Sequence, residues 1–209
     1  MKLDVLNIEG QSTGRSVELS PEVFGVEPNE HAVYLAVKQY NANQRQGTHS
    51  SKERNAVAGS TKKIKKQKGT GTARAGDIKN PVFRGGGRIF GPRPRNYGFK
   101  LNKKLKALAR KSALSSKAGS GQIVVVEDFT LEHPKTSEFV GVLNNLKLDT
   151  GKVLLVTADY DRTLVLSGRN IPGTKVMQAK DLNTYDVLDA GKVVLSESAV
   201  GSITELLTK

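Results

Sequence analysis

Apolar residues alternate with polar ones near the start of the chain. Residues 2–8 and 15–19 follow this pattern, and a stretch that contains glycine separates them. Two such runs predict a pair of short strands joined by a turn, as in a hairpin or a sheet edge. From Asn29, a residue type favoured as a helix N-cap, apolar residues recur on one helical face as far as Tyr40. The pattern predicts a helix in this part of the chain.

A second series of regular elements starts at Asn102 and runs toward the end of the chain. Leu105 and Leu108 mark the apolar face of a predicted helix whose other faces are basic. The next predicted elements are a strand at 122–126, a helix at 135–146, a strand at 152–157, a short helix at 162–168, a strand at 175–177, a turn or short helix at 183–188, a strand at 192–195 and a helix at 198–207. Residues 123–126 and 153–156 are continuously apolar, which is typical of parallel strands covered on both faces. The alternation predicts the fold class α/β, as a three-layer α/β/α sandwich with a mostly parallel central sheet.

The middle of the chain follows neither the helical nor the strand period. Between residues 46 and 99, glycines and three prolines interrupt every candidate run. We therefore predict a long basic extended loop, inserted after the first helix of the globular domain. The predicted parts are residues 1–45 and 101–209 for the α/β domain and residues 46–100 for the loop. A loop of this length inside a compact domain is usually functional or disordered.

Positive charge is concentrated in one segment of the chain. Residues 45–111 hold 20 of the 33 Lys and Arg residues but only two of the 20 acidic residues, Glu53 and Asp77. The segment is also rich in glycine, so it lacks the apolar content and the stiffness to bury itself. We expect it to fold against an anionic partner. A pI near 9.9 makes nucleic acid the leading candidate.

The residue types in the predicted loop favour RNA. Lysines are concentrated in residues 62–68, and Gly69 and Gly71 follow, where a bare backbone can approach a phosphate or a base closely. Arginines add bidentate phosphate donors, and aromatic residues among them offer wedges or stacking platforms, as in proteins that meet folded or single-stranded RNA. The aromatic residues are Phe83, Phe90, Tyr97 and Phe99. A plain solvated charge run is the alternative reading.

The length of the loop favours RNA over duplex DNA. Limbs of about 25 residues, at roughly 3.3 Å per residue, could reach about 80 Å from the domain. Such a loop can enter a large RNA body. No helix-turn-helix, zinc finger or zipper pattern indicates a protein that reads duplex DNA.

Several other function classes lack their sequence signatures. The chain has no Cys and no apolar stretch near the roughly 20 residues that span a bilayer. Residues 69–74 lack the third glycine of a dinucleotide fingerprint, and Pro92 stands where a phosphate-binding loop needs Lys. The three His residues share no metal-ligand spacing. We expect a cytoplasmic protein that is not an enzyme, with no cofactor, no metal, no membrane contact and no small-molecule substrate.

The motifs of the basic segment resemble those of a known family, the bacterial large-subunit ribosomal protein L-four family. Weaker matches continue to the end of the chain at 134–136, 169–170 and 182–186. The motifs that carry the resemblance are Arg45-Gln46-Gly47-Thr48, Gln67-Lys68-Gly69-Thr70-Gly71, Ala73-Arg74, Arg84-Gly85-Gly86-Gly87, Phe90-Gly91-Pro92, Pro94-Arg95 and Asn102-Lys103-Lys104.

The resemblance implies a structural constituent of the large ribosomal subunit that binds large-subunit ribosomal RNA and aids its assembly. It implies a globular domain on the solvent side and a loop that lines the peptide exit tunnel, with neighbouring large-subunit ribosomal proteins as further partners. The implied tunnel-lining tip comprises Gln67, Lys68, Gly69, Thr70 and Gly71. The predicted ribosomal RNA-binding residues are Arg45, Lys52, Arg54, Lys62, Lys63, Lys65, Lys66, Lys68, Arg74, Arg84, Arg88, Arg93, Arg95, Lys103, Lys104 and Arg110.

Two other functions stay open at the level of sequence. The first is a regulator that binds its own messenger RNA or the transcription complex away from the ribosome, as some members of this family do. The second is an RNA-modifying enzyme of α/β fold, which the missing cofactor loops disfavour.

Overall fold

The computed structural model describes residues 1–148 and 151–208, which fall into two compact units. The globular unit comprises residues 1–41 together with the chain from Lys100 onward, and the basic unit comprises residues 42–99. The regular elements are β1 (Lys2–Leu6), β2 (Ser12–Glu18), α1 (Pro21–Phe24), α2 (Glu30–Gln44), α3 (Lys103–Gly119), β3 (Ile123–Val126), α4 (Thr136–Asn145), β4 (Val153–Thr157), α5 (Arg162–Gly168), β5 (Thr174–Gln178), a 3₁₀ turn (Ala179–Asp181), α6 (Thr184–Asp189), β6 (Lys192–Ser196) and α7 (Glu197–Thr208).

The six strands form one sheet in the order β2-β1-β3-β6-β4-β5. β1 and β2 pair antiparallel, which confirms the predicted hairpin. All the other neighbours pair parallel, with Val5 opposite Val125 and Leu155 opposite Val194. The mostly parallel central sheet is therefore confirmed. It follows from the continuously apolar strands, whose two faces must both be covered.

Helices cover both faces of the sheet. One apolar cluster joins Val193 and Leu195 of β6 to residues of α1, α3, α6 and α7. A second cluster joins Val194, on the opposite face of the same strand, to Phe139 of α4 and Leu164 of α5. Because successive side chains of a strand point to opposite faces, one strand serves both clusters. The three-layer sandwich is confirmed.

The position of the predicted loop in the order of elements needs one correction. The loop was expected after the first helix, but the short helix α1 lies before α2, so residues 46–100 follow the second helix. Ser20 precedes α1, and Pro21 stands in its first turn, where the missing N–H costs nothing. A helix of four residues is too short to give a readable period, which is why the pattern of apolar residues did not reveal it.

Two buried serines of α3 hold the segment that connects α1 to α2. Ser115 Oγ accepts a hydrogen bond from Val26 N at 3.0 Å and donates one to Val23 O at 3.1 Å. Ser112 Oγ accepts a hydrogen bond from Asn29 N at 3.1 Å. These bonds give partners to three backbone groups, of which the Val23 carbonyl is buried. The start of α2 is thereby fixed to α3.

Turns and irregular backbone make up the chain between α2 and α3. Neither a helix nor a strand is assigned among residues 45–102, as the interruption of every candidate period predicts. The structure describes residues 42–99 as a compact unit of its own. The extended form of the loop is not confirmed and stays a prediction.

Candidate RNA-binding site

The only two acidic residues of the basic unit each pair with an arginine that is distant in sequence. Asp77 Oδ2 accepts hydrogen bonds from Arg54 at 2.9 Å from Nη2 and 3.3 Å from Nε. Glu53 pairs with Arg93. We call residues 45–66 the outgoing limb, 67–71 the tip and 72–99 the returning limb. Both ion pairs join the outgoing limb to the returning limb.

Backbone hydrogen bonds connect the same two limbs. Arg88 N donates to Lys52 O at 2.9 Å, and Ile64 N donates to Gly76 O at 3.0 Å. Gly87 is buried at this contact, where a Cβ atom would lie only 2.3 Å from Arg54 N. Glycine is thus required at this position because another backbone occupies the space of a side chain. The limbs contact each other over much of their length.

The tip has an open surface. Gly69 and Gly71 adopt φ values of +81° and +65°, and an added Cβ would meet no atom within 4 Å at either position. Every residue from 60 to 74 is exposed. Lys63 bonds Gln67 of the tip, and Lys65 Nζ of the outgoing limb donates to Thr72 Oγ1 of the returning limb at 2.8 Å. The tip therefore presents left-handed glycine backbone and amide and ammonium donors to its surroundings.

The predicted binding residues are placed at the surface with one exception. Those that are exposed are Arg45, Lys52, Arg54, Lys62, Lys63, Lys65, Lys66, Lys68, Arg74, Arg84, Arg88, Arg93, Arg95, Lys103 and Lys104. Arg110 on α3 is half-buried, and burial lowers the pKa of its guanidinium below the usual value. Arginine stays protonated in proteins even when it is partly buried, so Arg110 keeps its charge at neutral pH. Two of the exposed arginines, Arg54 and Arg93, also hold the limbs together through the ion pairs described above.

Two cavities lie between the limbs. One has a volume of about 380 Å³ and is lined by Arg54, Lys63 and Arg74 around the buried carboxylate of Asp77. The other, of about 390 Å³, combines Arg88 and Arg93 with the apolar walls of Pro81 and Ile89. Guanidinium groups beside apolar walls can bind both parts of a nucleotide: the N–H groups donate to the phosphate, and the apolar walls contact the flat base.

Exposed apolar residues accompany the positive charges. Phe90 is 98% exposed and Val82 is 86% exposed, both on the returning limb. A phenyl ring exposed among arginines is suited to stack on a base. Tyr97 was expected from the sequence to be a stacking platform for a base, but in the structure two arginine side chains lie over its ring.

The contacts of Tyr97 form a cluster that we call the neck (Arg45, Gly47, His49, Arg95 and Tyr97), whose residues lie near the two chain ends of the basic unit. The guanidinium carbon of Arg45 lies 4.0 Å from the centroid of the Tyr97 ring, and that of Arg95 lies 4.5 Å from it. The Tyr97 hydroxyl lies 3.1 Å from His49 Nε2. The sequence analysis named both arginines but not Tyr97 as their common partner, because Tyr97 lies 52 residues after Arg45 in the sequence.

The globular unit has a cavity of its own, of about 340 Å³, at the carboxyl ends of β3, β4 and β6. Its polar lining includes Asp128, Asp159 and Asp161. Asp128 binds Ser198 at the start of α7, and Asp161 caps α5 through Thr163 N at 2.8 Å. Within the described part of the chain, no group of three or more His, Cys, Asp or Glu residues is arranged to hold a metal ion.

No helix within residues 1–148 and 151–208 is long and apolar enough to cross a bilayer.

The fold and the site define a class of protein: an α/β sandwich with a separate, strongly basic and glycine-rich unit of the kind that binds RNA. Comparison with known proteins identifies the family. The sequence profile of the ribosomal protein L4/L1 family matches residues 17–206. The chain therefore belongs to the ribosomal protein L4/L1 family.

Individual relatives match over nearly their whole length. The large ribosomal subunit protein uL4 of Amoebophilus asiaticus is 58% identical over 205 residues, which cover 98% of both chains. The protein of the same name from Cytophaga hutchinsonii is 57% identical over 99% of this chain and 100% of its own. That from Flavobacterium psychrophilum is 58% identical over 209 residues, the full length of both. The relatives confirm the family resemblance of the basic segment.

Proposed function

We propose that this protein is a structural constituent of the large ribosomal subunit, in the cytoplasm, and that it works by binding large-subunit ribosomal RNA. The proposal rests on the charge of the basic unit. This unit contains 14 Lys and Arg residues but only two acidic residues, and both acids are already paired with arginines of the unit. The excess charge needs an external polyanion. Relatives that match over the full length are named as large-subunit proteins, which favours ribosomal RNA as that polyanion.

The basic unit is the main RNA-binding element in this proposal. Exposed lysines and arginines of both limbs neutralise phosphates, while Phe90 stacks on a base. The tip, residues 67–71, lines the peptide exit tunnel, where its open glycine backbone occupies little space. Lys103, Lys104 and Arg110 on α3 bind further phosphates beside the globular unit.

In this proposal the role of the globular unit is structural and not catalytic. The sandwich carries the basic unit within its chain and offers its surface to neighbouring large-subunit proteins. Binding and organising RNA requires no chemical step, no cofactor and no small-molecule substrate, so the protein is not an enzyme. The names of the relatives give no support to the regulatory alternative, in which the protein binds its own messenger RNA.

Deletion of residues 60–96 tests the proposal. Cells that depend on a chain with a short Gly-Ser linker in place of these residues are expected to accumulate incomplete large subunits that lack the protein. The matched control is Lys180→Gln, which removes one exposed positive charge from the globular unit and is expected to assemble normally. Normal incorporation of the deletion variant would contradict the structural role of the basic unit.

A further inference from the structure

The neck brings two like charges together on a single aromatic ring. Arg45 comes from the outgoing limb and Arg95 from the returning limb, and both guanidinium carbons lie within 4.5 Å of the Tyr97 centroid. Each cation is attracted to the ring face, but the two cations repel each other. An arrangement of this kind is favourable when a third, negatively charged group completes it.

The backbone fixes the neck before any ligand arrives. Arg95 N donates to Gly47 O at 3.1 Å, and Gly47 has a φ of +64°. A Cβ atom at Gly47 would lie 2.1 Å from Arg95 O and 3.0 Å from the Tyr97 ring. Only glycine allows the two limbs to approach this closely. The two arginines therefore emerge from adjacent backbones with their positions set.

The stacked geometry leaves the hydrogen-bond donors of both arginines available. A guanidinium that stacks on a ring uses its face, while its five N–H donors lie in its plane and point away. Both arginines are exposed. Planar donors of this kind fit the oxygens of a backbone phosphate.

The basic unit contains no acid that could neutralise the neck. Its two carboxylates, Glu53 and Asp77, are engaged by Arg93 and Arg54. His49, the remaining polar side chain at the ring, contacts the Tyr97 hydroxyl and is no anion. Within the described residues of this unit, no carboxylate is left to pair with Arg45 and Arg95, so the two cations are available to an anionic ligand.

We infer that the neck is a preorganised binding site for a backbone phosphate of RNA, in which Tyr97 is a positioning residue for Arg45 and Arg95. The inference rests on the proposed function and adds a specific site to it. The ring holds the two guanidinium planes in place, so that the RNA backbone is bound by donors from both limbs.

The test measures binding of the full chain to a large-subunit ribosomal RNA transcript across a series of KCl concentrations. Tyr97→Leu is expected to weaken binding about tenfold and to reduce the slope of log K against log [KCl] by about 0.7 to 0.9, as expected for one lost phosphate contact. Tyr97→Phe keeps the ring and is expected to bind like the wild type. Tyr34→Leu is the matched control, because Tyr34 is an exposed tyrosine on α2 whose ring faces a lysine cation, Lys38 Nζ at 5.6 Å.

A double-mutant cycle separates positioning from a general structural role. In a chain that carries both Arg45→Gln and Arg95→Gln, adding Tyr97→Leu is expected to cause no further loss of affinity or slope. If the losses add, or if Tyr97→Leu behaves like Tyr34→Leu, the neck site is wrong. If Tyr97→Leu fails to fold by circular dichroism, the arginine pair decides the question, since an unchanged slope in that variant overturns the site. Failure of the wild-type chain to bind the transcript would overturn the proposed function itself.

Discussion

Asp77 and Arg54, which lie 23 residues apart in the sequence, form one of the two ion pairs that join the limbs of the basic unit. The carboxylate side chain is only 6% exposed, whereas that of Arg54 is 55% exposed. A buried carboxylate depends on its partner for the hydrogen bonds that water would otherwise supply. The pair therefore contributes to the shape of the unit, in addition to any contact of Arg54 with RNA.

Asp77→Asn is expected to loosen the limbs. Loss of the charge weakens the bonds from Arg54 by about 0.5 to 1 kcal/mol, a value kept low because Arg54 is half-exposed. Amide exchange at Ile64, which bonds Gly76 O across the limbs, should accelerate about threefold. Glu53→Gln is the comparison, since Glu53 is 45% exposed and its pair should matter less. An equal effect of the two substitutions would contradict the role assigned to burial.

Gly87→Ala is expected to disrupt the contact between the limbs more than any change at an open glycine. A methyl group there meets the backbone of Arg54 at 2.3 Å. Overpacking of this kind costs roughly 1 to 3 kcal/mol, so exchange of the Arg88 amide should rise about tenfold or more. Gly76→Ala serves as the control, because no atom lies within 4 Å of its added Cβ. Similar exchange rates in the two variants would show that the limbs do not pack as described.

Ser115→Ala is expected to destabilise the globular unit. The substitution leaves Val26 N and Val23 O without their partner on α3. A buried group left without its hydrogen bond costs about 1 to 3 kcal/mol, which lowers the urea midpoint. The neighbouring Ser116 is exposed, and Ser116→Ala should change the free energy of unfolding by less than about 0.5 kcal/mol. Equal midpoints for the two variants would contradict the role of the buried serine.

Lys152 gives the globular unit a pH dependence at the alkaline end. The hydrogen bond from its ammonium to Asp189, at 2.6 Å, together with the charge of that carboxylate, raises the pKa of Lys152. The folded state thus holds the proton more tightly than the unfolded state, and the stabilisation is complete below the ordinary lysine pKa of about 10.4. It is lost as pH rises through the raised value.

The measurement for Lys152 is thermal unfolding at pH 8 and pH 11. Between pH 8 and pH 11, the melting temperature of the wild type should fall further than that of Lys152→Gln. Lys180→Gln removes an exposed lysine of the same unit and should follow the wild type. An equal fall of the melting temperature in the wild type and in Lys152→Gln would show that the Lys152–Asp189 pair has no effect on stability.

Much of the fold could be predicted from the sequence because the globular unit follows local rules. The helix at 162–168 was predicted with the bounds that it has, and in the structure Asp161 fixes its start by accepting hydrogen bonds from Thr163 N and Leu164 N. The parallel strands were readable because their apolar runs must be covered on both faces. The helix α1 was missed because four residues show no period.

The candidate site was predictable in composition but not in internal geometry. The charge count located the basic segment and its arginines. The pairing of Glu53 with Arg93 and the stacking of Arg45 on Tyr97 join residues 40 and 52 positions apart, and contacts at such separations leave no periodic trace in a sequence. Gly87 is a further example of a contact that could not be predicted from the sequence, because it packs against the backbone of Arg54, 33 residues earlier in the chain.

Co-sedimentation with large ribosomal subunits, before and after a high-salt wash, tests the central claim most directly. Phosphate contacts at an exposed surface weaken steeply as salt rises, whereas a basic unit enclosed by folded RNA is released slowly. The tagged protein is expected to stay with the large subunit at about one copy per particle after the wash. Release of the protein into the soluble fraction would contradict it.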